Sequence, residues 1–297
     1  MRVSGVDRTQ KRATFFALLA AVLYAVNAPV SKLLLRQVPA TVMAALLYLG
    51  AGIGVFLMGT ARRLAGKERE ERSLTKKELP YTVGMVALDI AAPIFLMAGL
   101  TRTTAANASL LNNFEIVATS IIALVVFREA ISKRLWLAIA LVTASSLLLS
   151  FEDMSSLSFS WGSLFVLLAC VCWGFENNCT RMLSSKDPME IVVIKGFGSG
   201  LGSLVIALAL GERLPGALLC LCALALGFVA YGLSIYFYIY AQRHLGAAKT
   251  STYYAAAPFV GAGLSMVIFW EAPSLTYLAA LVIMLAGTYF AATDGRE

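Results

Sequence analysis

Long apolar stretches follow one another along almost the whole chain, and only short polar segments separate them. A stretch of about 20 apolar residues is long enough to cross a lipid bilayer as a helix. The pattern therefore predicts ten transmembrane helices, here called spans 1 to 10. Their predicted bounds are residues 13–35, 40–59, 80–100, 103–126, 131–150, 161–183, 189–210, 216–240, 247–269 and 274–292.

The polar positions within these spans show that the chain contains two copies of one unit. Residues 13–48 align without gaps on residues 162–197, at an offset of 149. Residues 127–132 (Phe-Arg-Glu-Ala-Ile-Ser) recur at residues 269–274 (Phe-Trp-Glu-Ala-Pro-Ser), at an offset of 142. The first alignment pairs Tyr24 with Trp173, Asn27 with Glu176, Lys32 with Arg181 and Pro39 with Pro188.

Each copy holds five spans, and an odd number of crossings places the second copy upside down relative to the first. The sequence thus predicts an all-α integral membrane protein, with ten transmembrane helices in two inverted five-helix repeats. Inverted repeats are typical of secondary transporters, whose solute site lies at the repeat interface. The predicted parts are an N-terminal segment, a first repeat, an external connector, a second repeat and a C-terminal segment, at residues 1–12, 13–150, 151–160, 161–292 and 293–297.

Composition and charge agree with a membrane protein. Hydrophobic residues make up 59% of the chain and charged residues 14%, against about 25% charged residues in an average soluble domain. With the N-terminus placed in the cytoplasm, 19 Lys and Arg residues fall on the cytoplasmic side and four on the outside. This positive-inside bias predicts that both termini are cytoplasmic. The net charge of +7 therefore reports membrane orientation, and we expect no nucleic-acid partner.

Four charged side chains lie inside predicted spans, namely Asp89, Glu115, Glu176 and Lys195. A charge at the bilayer centre costs about 2.5–3.5 kcal/mol on insertion scales, so such residues usually face a cavity or a partner. Asp89 and Glu115 therefore either face a cavity or form a structural pair. Lys195 either extends to the cytoplasmic edge or pairs with a carboxylate such as Glu176. Helical spacing places Asn112 on the same face as Glu115.

Aromatic and amide side chains near these charges predict a pocket for a partly apolar solute. Tyr24 and Trp173 occupy equivalent repeat positions, beside Asn27 and Glu176. Interfacial belts and contacts between helices are the alternative explanations for the tyrosines and for the asparagines. The candidate solute-binding residues are Tyr24, Asn27, Asp89, Asn112, Glu115, Trp173, Glu176, Asn177, Tyr253 and Tyr254.

Prolines and glycines predict where the helices bend and where they pack closely. Pro93 in span 3 and Pro258 in span 9 each remove a backbone hydrogen bond, and both are candidate gating positions. Glycines at GxxxG spacing in spans 2 and 7 predict close helix contacts. They are Gly50, Gly54, Gly196, Gly198, Gly200 and Gly202.

The five cysteines predict neither a disulfide framework nor a metal site. Cys170, Cys172 and Cys179 lie in span 6, and Cys220 and Cys222 lie in span 8. A Cys-x-Cys pair is a possible ligand set for a soft metal such as copper(I). However, the two side chains of such a pair point about 200° apart on a helix, which favours apolar packing instead. We expect no metal and no cofactor.

The order of these motifs resembles the repeat of the EamA-type drug/metabolite transporters. Residues 24–32 and 173–181 are similar to its opening Trp-Gly-x-Asn…Lys motif. Residues 105–132 and 247–274 are similar to its closing stretch of small residues, a proline and a glutamate. Two positions depart from the motif: Ile116 replaces the proline, and Glu176 replaces the usual asparagine. The resemblance covers residues 13–292. It implies a metabolite exporter of the bacterial inner membrane, with amino acids as a prominent substrate class. Because the two fused halves already enclose a complete pathway, we expect a monomer.

A transporter working by alternating access is therefore the leading hypothesis, with aromatic or other apolar amino acids as the expected solutes and membrane lipid as the surroundings. The alternative is an integral-membrane enzyme acting on lipid or isoprenoid substrates. Such an enzyme needs a catalytic constellation, whereas the sequence has a single histidine, His244, beside Arg243. We therefore expect no enzymatic activity. Whether a proton carried by Asp89, Glu115 or Glu176 drives transport stays open at this point, the alternative being facilitated diffusion.

Overall fold

The structure is a computed structural model that describes residues 3–66, 73–128, 131–153, 158–183, 186–245 and 253–293. Within these ranges the chain forms successive helices that correspond to the ten predicted spans. The first repeat consists of α1 (Val3–Ala25), α2 (Asn27–Leu34), α3 (Ala40–Leu64), α4 (Leu79–Leu100), α5 (Ala105–Leu111), α6 (Phe114–Phe127) and α7 (Lys133–Ser150). The second repeat consists of α8 (Trp161–Leu183), α9 (Pro188–Ala209), α10 (Ala217–Gly227), α11 (Ser234–Leu245), α12 (Ala257–Phe269) and α13 (Leu275–Ala292).

The length and composition of the helices agree with a membrane fold. Among the described residues, seven helical stretches of 22–25 residues are apolar enough to cross a membrane. They comprise spans 1 to 4 and 6 to 8. Spans 5, 9 and 10 contain the shorter helices α7, α12 and α13. Two short strands, β1 (Phe151–Asp153) and β2 (Ser158–Phe159), pair antiparallel in the connector between the repeats, so this segment departs from an all-helical chain.

Helix packing follows the predicted twofold symmetry, under which spans 1 to 5 correspond to spans 6 to 10. Span 3 packs along span 6, and its symmetry partner, span 8, packs along span 1. In the same way span 4 contacts span 6, and span 9 contacts span 1. Three pairs of equivalent spans also pack on each other: span 2 on span 7, span 4 on span 9, and span 5 on span 10. The two repeats therefore share one interface through the whole bundle.

The same backbone conformation recurs at equivalent positions of the two repeats. Arg128 ends span 4 with a φ of 56°, and Trp270 ends span 9 with a φ of 55°. Positive φ is uncommon for residues other than glycine. The two residues are separated by the offset of 142 that relates residues 127–132 to residues 269–274. The equivalence seen in sequence is therefore also an equivalence of structure, although Glu129 lies outside the described residues.

Glycines permit the close approach of spans 2, 7 and 8, as the GxxxG spacing predicted. A Cβ on Gly196 of span 7 would lie 2.8 Å from the carbonyl oxygen of Tyr48 in span 2. A Cβ on Gly50 of span 2 would lie 2.8 Å from the carbonyl carbon of Leu224 in span 8 and would overlap the attached oxygen. Because lipid tails are themselves apolar, close packing of this kind is a main source of helix association in membranes.

Two charged side chains cap helix ends at the face of the bundle opposite to the start of span 1. The ammonium of Lys32 donates hydrogen bonds to the carbonyl oxygens of Leu100, at the end of α4, and of Thr103, the latter at 2.6 Å. The carboxylate of Glu212 accepts a hydrogen bond of 3.0 Å from the backbone N–H of Val42, in the first turn of α3. A cation at a helix C-terminus and an anion at an N-terminus both stabilise the helix.

We predict that Gly50→Ala lowers the melting temperature of the purified protein in detergent by about 5 °C, because overpacking of this kind costs about 1–3 kcal/mol. Gly59→Ala is the matched control in the same helix, since its Cβ would meet only the flexible end of Met189, at 3.4 Å. We expect the control to keep or slightly raise the melting temperature, because alanine favours helix. Equal melting temperatures for the two variants would contradict the packing of span 2 on span 8.

Candidate functional site

Four spans lose their regular α-helical backbone near the middle of the bundle. Span 1 is interrupted at Val26, span 4 at residues 112–113 and span 9 at residues 255–256, while span 8 contains a π-helical turn, Phe228–Leu233. Irregular backbone at membrane depth is tolerated where it is buried in protein or lines a cavity. π-Helical turns are also frequent at functional sites. These four interruptions therefore mark the region in which a site is expected.

Prolines leave backbone carbonyl groups without their helical donor in this same region. A helical proline has no N–H to donate to the carbonyl oxygen four residues earlier. Pro93 lies within α4, which continues past it, whereas Pro258 is the second residue of α12, directly after the interruption at residues 255–256. The carbonyl groups concerned are those of Ala25, four residues before Pro29, of Asp89, four before Pro93, and of Tyr254, four before Pro258.

A buried ion cluster joins spans 3, 6 and 7. The ammonium of Lys195 lies 3.2 Å from the carboxylate of Asp89 and 3.0 Å from that of Glu176. Asp89 and Glu176 are almost completely buried, and the side chain of Lys195 is 12% exposed. The second oxygen of Asp89 accepts a hydrogen bond of 2.8 Å from the hydroxyl of Tyr48, and the hydroxyl of Thr180 donates to Glu176. Lys195 therefore has carboxylate partners and does not extend to the surface.

The third carboxylate, Glu115, has amide and hydroxyl neighbours. The side-chain amide of Asn177 donates to Glu115 at 2.6 Å and to the hydroxyl of Thr119 at 3.3 Å. This contact joins span 4 to span 6, and Asn177 directly follows Glu176 of the ion cluster in the chain. Asn112 and Glu115 do not share one continuous helix, since the backbone between them is a tight turn and Asn112 faces a different neighbourhood.

Tyrosines form the other side of the site. The amide of Asn27 donates to the hydroxyl of Tyr231 at 3.1 Å, and Asn27 in turn accepts from Ser31 at 3.0 Å. The ring of Tyr231 packs edge-on against Tyr24, with centroids 5.9 Å apart, and Tyr24 lies 5.7 Å from Tyr254. Partners of this kind are usual for buried tyrosines, which combine an apolar ring with a polar hydroxyl.

One ring contact connects this aromatic cluster to the ion cluster. The ring of Tyr48, whose hydroxyl binds Asp89, lies 5.1 Å from the ring of Tyr231. Trp173 lies beside the same hydroxyl of Tyr48. The charged and the aromatic residues therefore belong to one continuous site.

The two clusters occupy equivalent positions in the two repeats. Asn27 corresponds to Glu176 at the offset of 149. The offset of 142, extended backwards without a gap from residues 127–132, pairs Asp89 with Tyr231. Span 1 contacts span 8 through the neutral pair of Asn27 and Tyr231. Span 6 contacts span 3 through Glu176 and Asp89, with Lys195 between them. One symmetric arrangement thus has a neutral, aromatic half and a charged half.

A narrow cavity lies between the interruptions of spans 1, 4 and 9. It comprises about 210 Å³ of space, part of it open to solvent, and has room for only about one ordered water molecule. Its lining consists of Tyr24, Ala25, Asn27, Ala28, Ser109, Asn112, Ala257, Pro258 and Gly261.

The structure places most of the sequence-predicted residues in this region. Tyr253 differs, because its side chain is half-buried and only its carbonyl group, which accepts from the N–H of Ala256, has a described contact. The other predicted residues lie in the ion cluster, in the contact of Glu115, in the aromatic cluster or along the cavity: Tyr24, Asn27, Asp89, Pro93, Asn112, Glu115, Trp173, Glu176, Asn177, Tyr254 and Pro258.

Sequence reasoning missed several residues of the site. Tyr48 is a single tyrosine within the apolar stretch of span 2, and Tyr231 is one of four tyrosines in span 8, so their depth in the span was the available signal. The symmetry of the repeats was a further signal for Tyr231, since it is the counterpart of Asp89. Thr119 and Thr180 carried no signal, because threonine is common in membrane helices and often bonds to its own backbone.

The arrangement is that of a multi-pass membrane protein with two inverted repeats and a polar site at their interface, which is the architecture of a secondary transporter. The chain matches the model of the EamA-like transporter family twice, over residues 11–151 and 160–293. The protein belongs to the EamA-like transporter family.

One individual protein and one solved structure are also similar to this chain. The chain is 25% identical to a protein of Methanothermobacter thermautotrophicus described as an uncharacterized transporter, and the alignment covers 93% of this chain and 85% of the relative. A solved crystal structure without a functional name superposes with a TM-score of 0.68 at 18% identity, covering 94% of this chain and 95% of the other. This second likeness concerns the fold alone.

Proposed function

We infer that this transporter exports small metabolites with an ammonium group and an apolar or aromatic body, amino acids foremost, by alternating access. The observation that carries this inference is the composition of the site. Three carboxylates, Asp89, Glu115 and Glu176, lie near a single lysine, and tyrosines lie beside them. With all four groups ionised the formal charge is −2, which favours a cationic group in the solute.

The geometry supports an exchange of ion pairs on solute binding. Lys195 forms ion pairs with both Asp89 and Glu176 in the structure. The ammonium of a zwitterion would take the place of Lys195 at these carboxylates, and the freed Lys195 would bind the carboxylate of the solute. Each buried charge then keeps a partner throughout, which avoids the several kcal/mol that an unpaired buried charge costs. The apolar part of the solute would lie against Tyr24 and Tyr231.

Movement of whole helix groups would give a solute access to this site, because Asp89 and Glu176 are almost completely buried. The shared interface of the two repeats supports rocking of one group against the other, as in other inverted-repeat transporters. The distribution of Lys and Arg supports cytoplasmic termini. The proposed location in a bacterial inner membrane rests on the resemblance to EamA-type transporters. A monomer suffices, since the two repeats together supply both halves of the site.

We predict that zwitterionic and cationic solutes compete for transport and that purely anionic ones do not. The test is counterflow of labelled amino acids in proteoliposomes, with phenylalanine, phenethylamine and 3-phenylpropionate as competitors of one shape and different charge. Phenylalanine should compete best, and 3-phenylpropionate and a phosphate ester should not compete. Glu176→Gln should weaken competition by the two ammonium compounds about tenfold, whereas Glu271→Gln, at an exposed position, should not.

Strong competition by the anionic compounds, or equal effects of the two glutamine variants, would contradict this assignment of solute class. The melting temperature of each variant shows whether a loss of transport reflects a loss of fold.

A second prediction concerns coupling to protons. Glu115 has the amide of Asn177 as its bonded partner, and Lys195 is already paired with Asp89 and Glu176. Glu115 is therefore the carboxyl group best placed to exchange a proton during transport. We expect an imposed pH gradient to accelerate efflux from proteoliposomes by the wild type and not by Glu115→Gln, which retains counterflow. The same response in both proteins would exclude Glu115 as the proton carrier, and no response in either would indicate facilitated diffusion.

A further inference from the structure

The narrow cavity between spans 1, 4 and 9 contains buried oxygen atoms that lack a partner. In the part of the chain that the structure describes, the hydroxyl oxygen of Ser109 and the side-chain carbonyl oxygen of Asn112 have no hydrogen-bond partner. Ser109 is 2% exposed and Asn112 is 8% exposed, so bulk water does not compensate for the missing bonds. A buried polar atom without a partner costs about 1–3 kcal/mol. Both residues line the cavity.

A backbone carbonyl group faces the same place. The carbonyl oxygen of Ala25 lacks its helical donor, because residue 29 is a proline. A Cβ built on Gly261 would lie 3.0 Å from this oxygen and 2.9 Å from the hydroxyl oxygen of Ser109. One point next to Gly261 is thus within contact distance of both oxygens. Gly261 leaves this space open, and any larger residue would fill it.

The chemistry of these atoms selects the occupant. A carbonyl oxygen and an amide oxygen are acceptors, so they require a hydrogen-bond donor or a cation. The cavity lining contains no carboxylate, which disfavours a divalent ion, since Ca²⁺ and Mg²⁺ sites use carboxylates. The narrow space disfavours the ammonium group of a metabolite. Interrupted membrane helices whose freed carbonyl groups bind Na⁺ are a known way to build an ion site.

We propose that this cavity binds one Na⁺ ion, with the oxygens of Ala25, Ser109 and Asn112 as ligands. The site is separate from the ion cluster of Asp89, Glu176 and Lys195. It connects spans 1, 4 and 9, which come from both repeats, so an ion bound there stabilises one arrangement of the two repeats. This inference goes beyond the proposed solute and does not depend on it.

The test is the melting temperature of the purified full-length protein in detergent, measured in NaCl, KCl and choline chloride at equal ionic strength. A ligand that binds only the folded state raises the melting temperature, by about 5 °C near saturation for a protein of this size. We expect this rise in Na⁺ and not in K⁺ or choline. Binding of radioactive Na⁺ to the same samples should saturate at one ion per protein.

Two matched pairs of variants locate the site. Ser109→Ala and Gly261→Ala should abolish the Na⁺-dependent rise. Ser203→Ala removes another buried, unpartnered hydroxyl outside the cavity, and Gly263→Ala adds a methyl group where nothing lies within 4 Å. These two controls should keep the full response to Na⁺. Because Ser109→Ala removes one oxygen without adding bulk, it tests the site even if Gly261→Ala fails to fold.

Three results would overturn the proposal. An equal melting temperature in all three salts would mean that the cavity holds water alone. Stabilisation by K⁺ equal to that by Na⁺, or an undiminished Na⁺ response in Ser109→Ala, would also contradict a Na⁺ site. Counterflow in Na⁺-free buffer separates the two inferences. Counterflow without a Na⁺ response would remove only the ion site, whereas a Na⁺ response without counterflow would remove only the proposed solute.

Discussion

The centre of this molecule depends on one ammonium group that two buried carboxylates share. Lys195 of span 7 lies within 3.2 Å of Asp89 in span 3 and of Glu176 in span 6. A charge inside a membrane protein needs a partner. The ion pairs of Lys195 with Asp89 and Glu176 therefore hold spans 3, 6 and 7 together for as long as they are formed. The same shared lysine leaves one carboxylate without a cation of its own. The contact that stabilises the bundle is therefore also the one at which we propose that a cationic solute binds.

The symmetry of the fold explains why the two halves of the site differ. Equivalent positions in the two repeats carry Asn27 and Glu176, and likewise Tyr231 and Asp89. The duplicated unit supplies the geometry, and substitutions within it separate a neutral half from a charged half. A chamber with unlike halves can orient a solute that has one charged end and one apolar end. It also leaves the cavity at spans 1, 4 and 9 neutral, where backbone and amide oxygens are the available ligands.

Much of this organisation could be predicted from the sequence, for identifiable physical reasons. Apolar runs of bilayer length reveal the spans, and the repeated motifs reveal two copies. The cost of a charge in lipid indicated that Asp89, Glu115 and Glu176 have partners. The partner of Lys195 was left open, because a lysine near a helix end also has the option of reaching water. The structure decides between the two options, because the ammonium of Lys195 lies 3.2 Å from the carboxylate of Asp89 and 3.0 Å from that of Glu176.

The remaining features depend on contacts between distant segments. The run of residues 111–115 has the composition of a continuous helix, but the backbone is interrupted at residues 112–113. No proline marks this interruption, and it is stabilised by packing against other spans. The π-helical turn around Tyr231 has no local signature either, since its residues fit an ordinary helix equally well. Tyr48 belongs to the site because spans 2 and 3 bring it to Asp89, which its own neighbourhood in the chain does not reveal.

A double-mutant cycle between Lys195 and Asp89 tests the shared ammonium group most directly. Lys195→Met, Asp89→Asn and the double variant keep similar side-chain volumes, and their melting temperatures in detergent report the stability of the bundle. We predict that each single variant is clearly destabilised and that the double variant is more stable than the sum of the two effects implies, by about 1–3 kcal/mol. Additive effects would contradict the account, because they would show that the two side chains do not depend on each other.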